Sequence, residues 1–245
     1  LDGAVVVFDS VAGVEPQSET NWGYADEAGV PRICFINKMD RLGADFEKSY
    51  KSILERLSKR AVRIQLPWGA EEKLQGVVDL IKMKAYVFEG EMGMDVREVE
   101  IPAELVADAE LYRAELVERV VEHDDALMEA FLGGVEPTVE ELKATLRKAV
   151  IGNKLFPVMT GSALKNIGVQ LVLDAVVEYL PAPTDLVAVK GINPKDDSEV
   201  ERTASDSEPF CALAFKLQTD PFVGQLTFFR VYSGVVKAGS YIYNS

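Results

Sequence analysis

The sequence predicts an α/β protein: part of an open parallel sheet, interrupted by an α+β insertion and followed by the first strands of an antiparallel β-barrel. Three observations predict it. Ala4–Asp9 and Arg32–Asn37 are near-continuous apolar runs, the pattern of strands covered on both faces of a parallel sheet, and helical spacing fills the gap between them. A third such run, residues 155–160, arrives only after a long acidic stretch of changed periodicity. Beyond residue 208 the apolar residues alternate at period two instead. With 245 residues, 48% of them hydrophobic, the chain has ample material for a core.

Each element has a local cause. Pro16 suits the first position of a helix, with Glu15 before it and Glu19 in the first turn; Trp22, Ala25 and Ala28 follow at helical spacing up to a stop at Gly29. Pro31 and the strand to Asn37 complete a strand–helix–strand unit, which is right-handed by strong precedent. Phe46, Tyr50, Ile53, Leu54 and Leu57 mark an amphipathic helix. The period then changes. Short β-type runs at 62–66 and 85–88 are punctuated by Gly69, Gly76, Gly90 and Gly93. Leu105, Ala109, Tyr112, Leu116 and Val120 define a long helix, and Thr138 with Glu141 has the spacing of a capping box. Residues 59–152 are therefore expected to form an insertion subdomain. The sheet pattern resumes at 155–160, and Val169, Val172, Leu173, Val176 and Leu180 line a helix ending at Pro181-Ala182-Pro183. The expected organisation is an α/β domain over 1–190, a polar linker over 191–207 and the start of a barrel over 208–245, whose strands at 210–217 and 225–232 meet turns at Asp220-Pro221 and Ser233-Gly234.

The net charge of −14 argues against a general nucleic-acid binder, which needs Lys and Arg against phosphates. One segment carries the imbalance: residues 89–141 hold 17 acids against 3 bases. No apolar run approaches a membrane span and no charged leader opens the chain, so a cytosolic protein is expected. Cys34 and Cys211 lie in apolar strand-like runs and read as buried thiols, and His123, the only histidine, reads as a surface residue near a helix end. The start inside a strand pattern, and the stop at Asn244-Ser245 after a strand-like run, make a fragment the expectation.

The chemistry concentrates at two strand ends. Residues 33–40 end an apolar strand in Asn37, Lys38, Met39 and Asp40, at the carboxyl edge where open α/β sheets bind ligands. Guanine offers N1–H and its exocyclic amine as adjacent donors, and the Asp40 carboxylate can accept from both; adenine lacks that pair. The Asn37 amide can meet the acceptor edge and tie loops together, and the Lys38 stem can lie on the ring face. Residues 156–164 repeat the pattern: an N–H near Ala163 can donate to the guanine carbonyl, Ser162 can brace Asp40, and Leu164 can cover the other face. The competing account is that Asn37, Asp40, Gly161 and Ser162 are only turn and capping residues.

Gln17-Ser18-Glu19-Thr20, residues 31–41, Gly161-Ser162-Ala163-Leu164-Lys165-Asn166 and Asp220-Pro221-Phe222-Val223-Gly224 resemble the translational GTPases, and within them elongation factor G, along the whole chain. The insertion between Asp40 and Ser162 and the barrel after it agree with that family's order of parts. The resemblance implies the C-terminal half of a P-loop GTPase-type sheet, in a cytoplasmic, ribosome-dependent GTPase that drives movement of tRNA and mRNA. It implies GTP or GDP as ligand, with Asn37, Lys38, Asp40, Ser162, Ala163 and Leu164 at the guanine. It also implies the ribosome as partner, through rRNA and ribosomal proteins, and no membrane. The departure is that no Gly-x-x-x-x-Gly-Lys-Ser/Thr phosphate loop occurs. The segments that hold Mg²⁺ and orient the attacking water are expected upstream of Leu1, so no catalytic or metal residue is assigned, and the chain alone is expected neither to hydrolyse GTP nor to bind it tightly. A related factor for ribosome recycling or antibiotic protection, and a non-enzymatic guanine-nucleotide module, stay open. So do two roles for the acidic helix face: a solvated surface, or a dock for a basic or stalk-type ribosomal protein.

Overall fold

In the computed structural model, which describes residues 1–193 and 197–244, the chain forms two compact units, Leu1–Leu180 and Pro181–Ser245. The first unit opens with β1 (Ala4–Asp9), α1 (Pro16–Glu27), β2 (Arg32–Asn37), α2 (Phe46–Arg56) and β3 (Ala61–Arg63). Pro16 takes the first helical position of α1, where its missing N–H costs nothing, and Ser18 Oγ accepts from Glu15 N–H at 3.4 Å. Asp45 caps α2 by accepting from Lys48 N–H at 2.9 Å.

The insertion contributes a four-strand antiparallel meander, β4 (Gln65–Trp68), β5 (Gly76–Asp79), β6 (Lys84–Glu89) and β7 (Asp95–Val99), followed by α3 (Val106–Val121), α4 (Asp125–Leu132) and α5 (Val139–Ile151). The capping box at α5 is formed from both sides: Thr138 N–H donates to Glu141 Oε2 at 2.9 Å, and Glu141 N–H to Thr138 Oγ1 at 3.3 Å. After it come β8 (Phe156–Thr160) and α6 (Val169–Tyr179).

The main sheet has the order β1-β2-β8-β3, every pair parallel. Its two inner strands are buried along nearly their whole length, which explains their unbroken apolar sequence. Cys34 pairs with Val158 and Ile36 with Thr160, so β2 and β8 finish side by side. That register brings two loops, distant in sequence, to one sheet edge. Arg32, buried at the start of β2, ion-pairs with Asp26, donates to Trp22 O at 3.1 Å and lies 4.3 Å and 4.7 Å from the ring centres of Trp22 and Phe156. It thereby fastens α1 to the sheet.

Three local features differ from the sequence expectation. Residues 61–63, expected within the insertion, form β3 and join the parallel sheet; the chain leaves that sheet at Ile64, whose N–H donates to Val158 O while its carbonyl accepts from Leu80 N–H, both at 3.0 Å. One residue thus stitches the parallel sheet to the meander, a long-range event that no local period encodes. The eight-residue helix α4, capped by Asp124, had no long periodicity to announce it. Cys34 is buried, its thiol pushed up to about 12 by burial, whereas Cys211 is half-buried.

In the second unit, β9 (Val189–Ile192) and β10 (Glu199–Arg202) form a short hairpin that starts two residues before the stretch expected to be a linker and runs into it. Residues 194–196 of that linker lie outside the described residues, as does Ser245. β11 (Cys211–Asp220) and β12 (Gly224–Ser233) form a long hairpin, its turn held by Asp220 Oδ1 accepting from the N–H groups of Phe222 and Val223. Among the described residues no helix is long and apolar enough to cross a membrane.

Candidate functional site

At the end of β2 the backbone reverses through Lys38, whose φ of 65° is left-handed and rare for a residue with a side chain. The reversal drives Met39 into the core, at 1% exposure, and returns Asp40 to the sheet edge. Met39 N–H donates to Gly161 O at 3.1 Å, and Gly161 N–H to Ile36 O at 3.1 Å, so the first residues past β2 and β8 continue the ladder.

Gly161 is dictated by a close approach: a Cβ there would stand 2.1 Å from Ile167 O. That contact belongs to a narrow loop in which Ser162 and Ile167 exchange N–H to O bonds, each 2.9 Å. Ser162 is fully buried, and its Oγ accepts from Lys165 N–H at 3.1 Å. The hydroxyl proton remains as a donor.

Asn37 joins the two loops. Its Oδ1 accepts from Lys38 N–H and from Ala163 N–H, both at 2.8 Å, which leaves the side-chain NH₂ as donor. The Ala163 N–H is therefore already engaged by Asn37. Asp40 is half-buried, and its Oδ1 is fully buried without a hydrogen-bond partner. A buried carboxylate oxygen without a donor is costly, and a ligand bringing N–H donors relieves that cost. The expected brace from Ser162 to this oxygen is not made. Leu164 is 82% exposed.

Lys38 brings in a residue whose part the sequence did not reveal. Its Nζ lies 2.8 Å from Asp9 Oδ2, and Arg41 Nη1 lies 3.4 Å from the same oxygen. Asp9 ends β1, directly opposite Asn37 in the parallel register. The Lys38 ammonium holds its carboxyl down to about 2; the N–H groups of Val11 and Ala12 add to this, and burial opposes it. The available signal was an acid at the end of the neighbouring apolar strand. Ser10 Oγ also donates to Lys38 O at 2.8 Å, fixing the reversed peptide.

All six residues named from sequence thus lie at the ends of β2 and β8 or on the loops that follow them, with Asn37, the last residue of β2, bonded across. The Asp40 carboxylate is an acceptor that could take adjacent N–H groups of a ligand. Among the described residues no group of three or more His, Cys, Asp or Glu stands together to hold a metal ion. Outside the site, His123 follows α3 half-buried, its imidazole held below its usual value by burial.

Comparison with known proteins bears on the family and the fold. The family described as elongation factor Tu GTP binding domain matches residues 1–182. A crystal structure of a protein from Thermus thermophilus is 30% identical, with a TM-score of 0.78 over 98% of this chain. The chain spans 33% of that protein's length.

Proposed function

This chain belongs to the elongation factor Tu GTP-binding domain family, a family of translational GTPases, and on that premise we propose that its two loops select guanine nucleotides for a ribosome-dependent GTPase of the elongation factor G type. The observation that carries base selection is the buried, unpartnered Asp40 Oδ1 beside an Asn37 amide that already spans both loops. Asp40 accepts from guanine N1–H and the exocyclic amine in a charge-assisted pair. Adenine leaves that carboxylate buried and unpaired, and rejection by about 10⁴-fold is the scale such a site reaches.

The remaining residues orient the base. Asn37 donates its free NH₂ to the acceptor edge, and the shared Ala163 N–H meets the carbonyl. With its ammonium drawn to Asp9, Lys38 lays its aliphatic stem along one ring face, and Leu164 covers the other. Ser162, its Oγ accepting from Lys165 N–H, holds the shape of the second loop. Bound GTP supplies the phosphoanhydride that the family hydrolyses; the residues of this chain hold the base and exclude water from its edge. Mg²⁺ is assigned to residues outside this chain.

The elongation factor G reading rests on the order of parts: an α+β insertion between the two base loops, then antiparallel strands from residue 211. It makes movement of tRNA and mRNA on the cytoplasmic ribosome the task of the whole protein, with rRNA and ribosomal proteins as partners. The acidic face of α3 to α5 suits a basic or stalk-type ribosomal protein. Asp40→Asn tests the base assignment: in the intact protein it should weaken GDP and strengthen xanthosine diphosphate, and unchanged GDP affinity would overturn the reading.

A further inference from the structure

We infer that Glu71, a residue of the insertion, is a positioning residue for base recognition: it fixes the turn that carries Asp40. The inference rests on the guanine reading above and adds the part that sets the direction of the Asp40 carboxylate. Glu71 opens a single 3-10 turn, Glu71–Lys73, in the connection between β4 and β5. Its φ of 57° is left-handed, a conformation that glutamate rarely takes and that surrounding contacts must hold. Both polar ends of the residue go to the same target. The Glu71 N–H donates to Met39 O at 2.7 Å, and Glu71 Oε1 accepts from Gly43 N–H at 2.6 Å.

Met39 and Gly43 bracket Asp40. Around Asp40 the turn's own backbone bonds are short-range ones, Arg41 N–H to Lys38 O and Ala44 N–H to Arg41 O, both 3.0 Å. Asp40 Oδ1 has no bond of its own to steer it, so the direction of the carboxylate is inherited from the backbone on either side. Glu71 clamps that backbone from outside the strand. The insertion grips the second loop and the start of α6 in the same manner: Asn166 Nδ2 donates to Met92 O at 3.0 Å, and Gln170 Nε2, in the first turn of α6, to Gly93 O at 3.1 Å, on the connection between β6 and β7. Both base loops are thus braced by connections of the meander, and the bond to the Asp40 turn is the shorter and the charged one.

The test uses the intact protein and two probes, GDP and inosine diphosphate, which lacks the exocyclic amine and so forgoes one of the two Asp40 contacts. Glu71→Ala should weaken GDP by about tenfold and inosine diphosphate less, so the GDP preference shrinks. Glu71→Gln, whose amide oxygen still accepts from Gly43 N–H, should restore most of that preference. In an Asp40→Asn background, Glu71→Ala should leave the ratio of the two affinities where it is. An equal loss for both nucleotides, or no loss, would overturn the positioning role while the base assignment stands. A GDP preference that survives Asp40→Asn would remove the base assignment, and this inference with it.

Discussion

Replacing Gly161 with alanine sets a backbone contact against a single methyl group. The new Cβ would stand 2.1 Å from Ile167 O and 3.2 Å from Phe35 Cζ. Phe35 lies in the core of the central strand and has no room to retreat, so the carbonyl of Ile167 must give by roughly an ångström to reach ordinary contact distance. That carbonyl accepts from Ser162 N–H, and Ile167 N–H returns a bond to Ser162 O, so the shift breaks a reciprocal pair. Two buried hydrogen bonds at about 1 kcal/mol each, with overpacking of about 1 kcal/mol or more, put the destabilisation near 3 kcal/mol. That is a large share of the 5 to 15 kcal/mol, roughly, by which domains are stable. Urea unfolding followed by circular dichroism measures it as a lowered midpoint. Gly23→Ala is the internal control: a Cβ in the middle of α1 meets nothing within 4 Å, and alanine there should stabilise by up to about 1 kcal/mol. If Gly161→Ala unfolds within about 0.5 kcal/mol of the unmodified protein, the account of this loop as a tight backbone contact is wrong.

Two further outcomes follow. Asp9 is held at about 2 against an ordinary 3.8 by Lys38 and two backbone N–H groups, and a depressed folded value stabilises above pH 3.8 and is lost as pH falls towards 2. Asp9→Asn should cost about 1 kcal/mol above pH 4, a figure kept small because Lys38 is half-exposed and screened, and the gap to the unmodified protein should close between pH 4 and 2; a gap that ignores pH would refute the pairing. Ribosomes should raise GTP turnover by the intact protein, and the purified 245-residue chain should show none, whereas measurable turnover by this chain would refute the division of labour proposed for it.

The strands that carry the site were legible because burial on both faces left β2 and β8 with unbroken apolar runs, and small or polar residues marked where each run stops. The caps of α1 and α5 were legible for the same local reason: Pro16 and the Thr138–Glu141 pair act within a single turn. What stayed hidden is long-range. Nothing in the period of residues 62–66 says that β3 pairs with β8 while β4 turns away at Ile64. Asp9 and Lys38 meet only through the register of β1 on β2, and Glu71 reaches the Asp40 turn from another sheet. Sequence chemistry offered an N–H near Ala163 to the base and the Ser162 hydroxyl to Asp40; what it could not show is that Asn37 Oδ1 accepts from Ala163 N–H and that Asp40 Oδ1 stands without a partner.

Base selection by Asp40 is tested most directly by the equilibrium affinities of GDP and xanthosine diphosphate for the intact protein and its Asp40→Asn variant. Exchanging the carboxylate for an amide turns one acceptor into a donor and takes the charge from the other, which should weaken GDP by about 100-fold or more. The new NH₂ can donate to the extra carbonyl of xanthine, so the preference between the two nucleotides should invert. GDP affinity unchanged in the variant, with no gain for xanthosine diphosphate, would contradict the assignment.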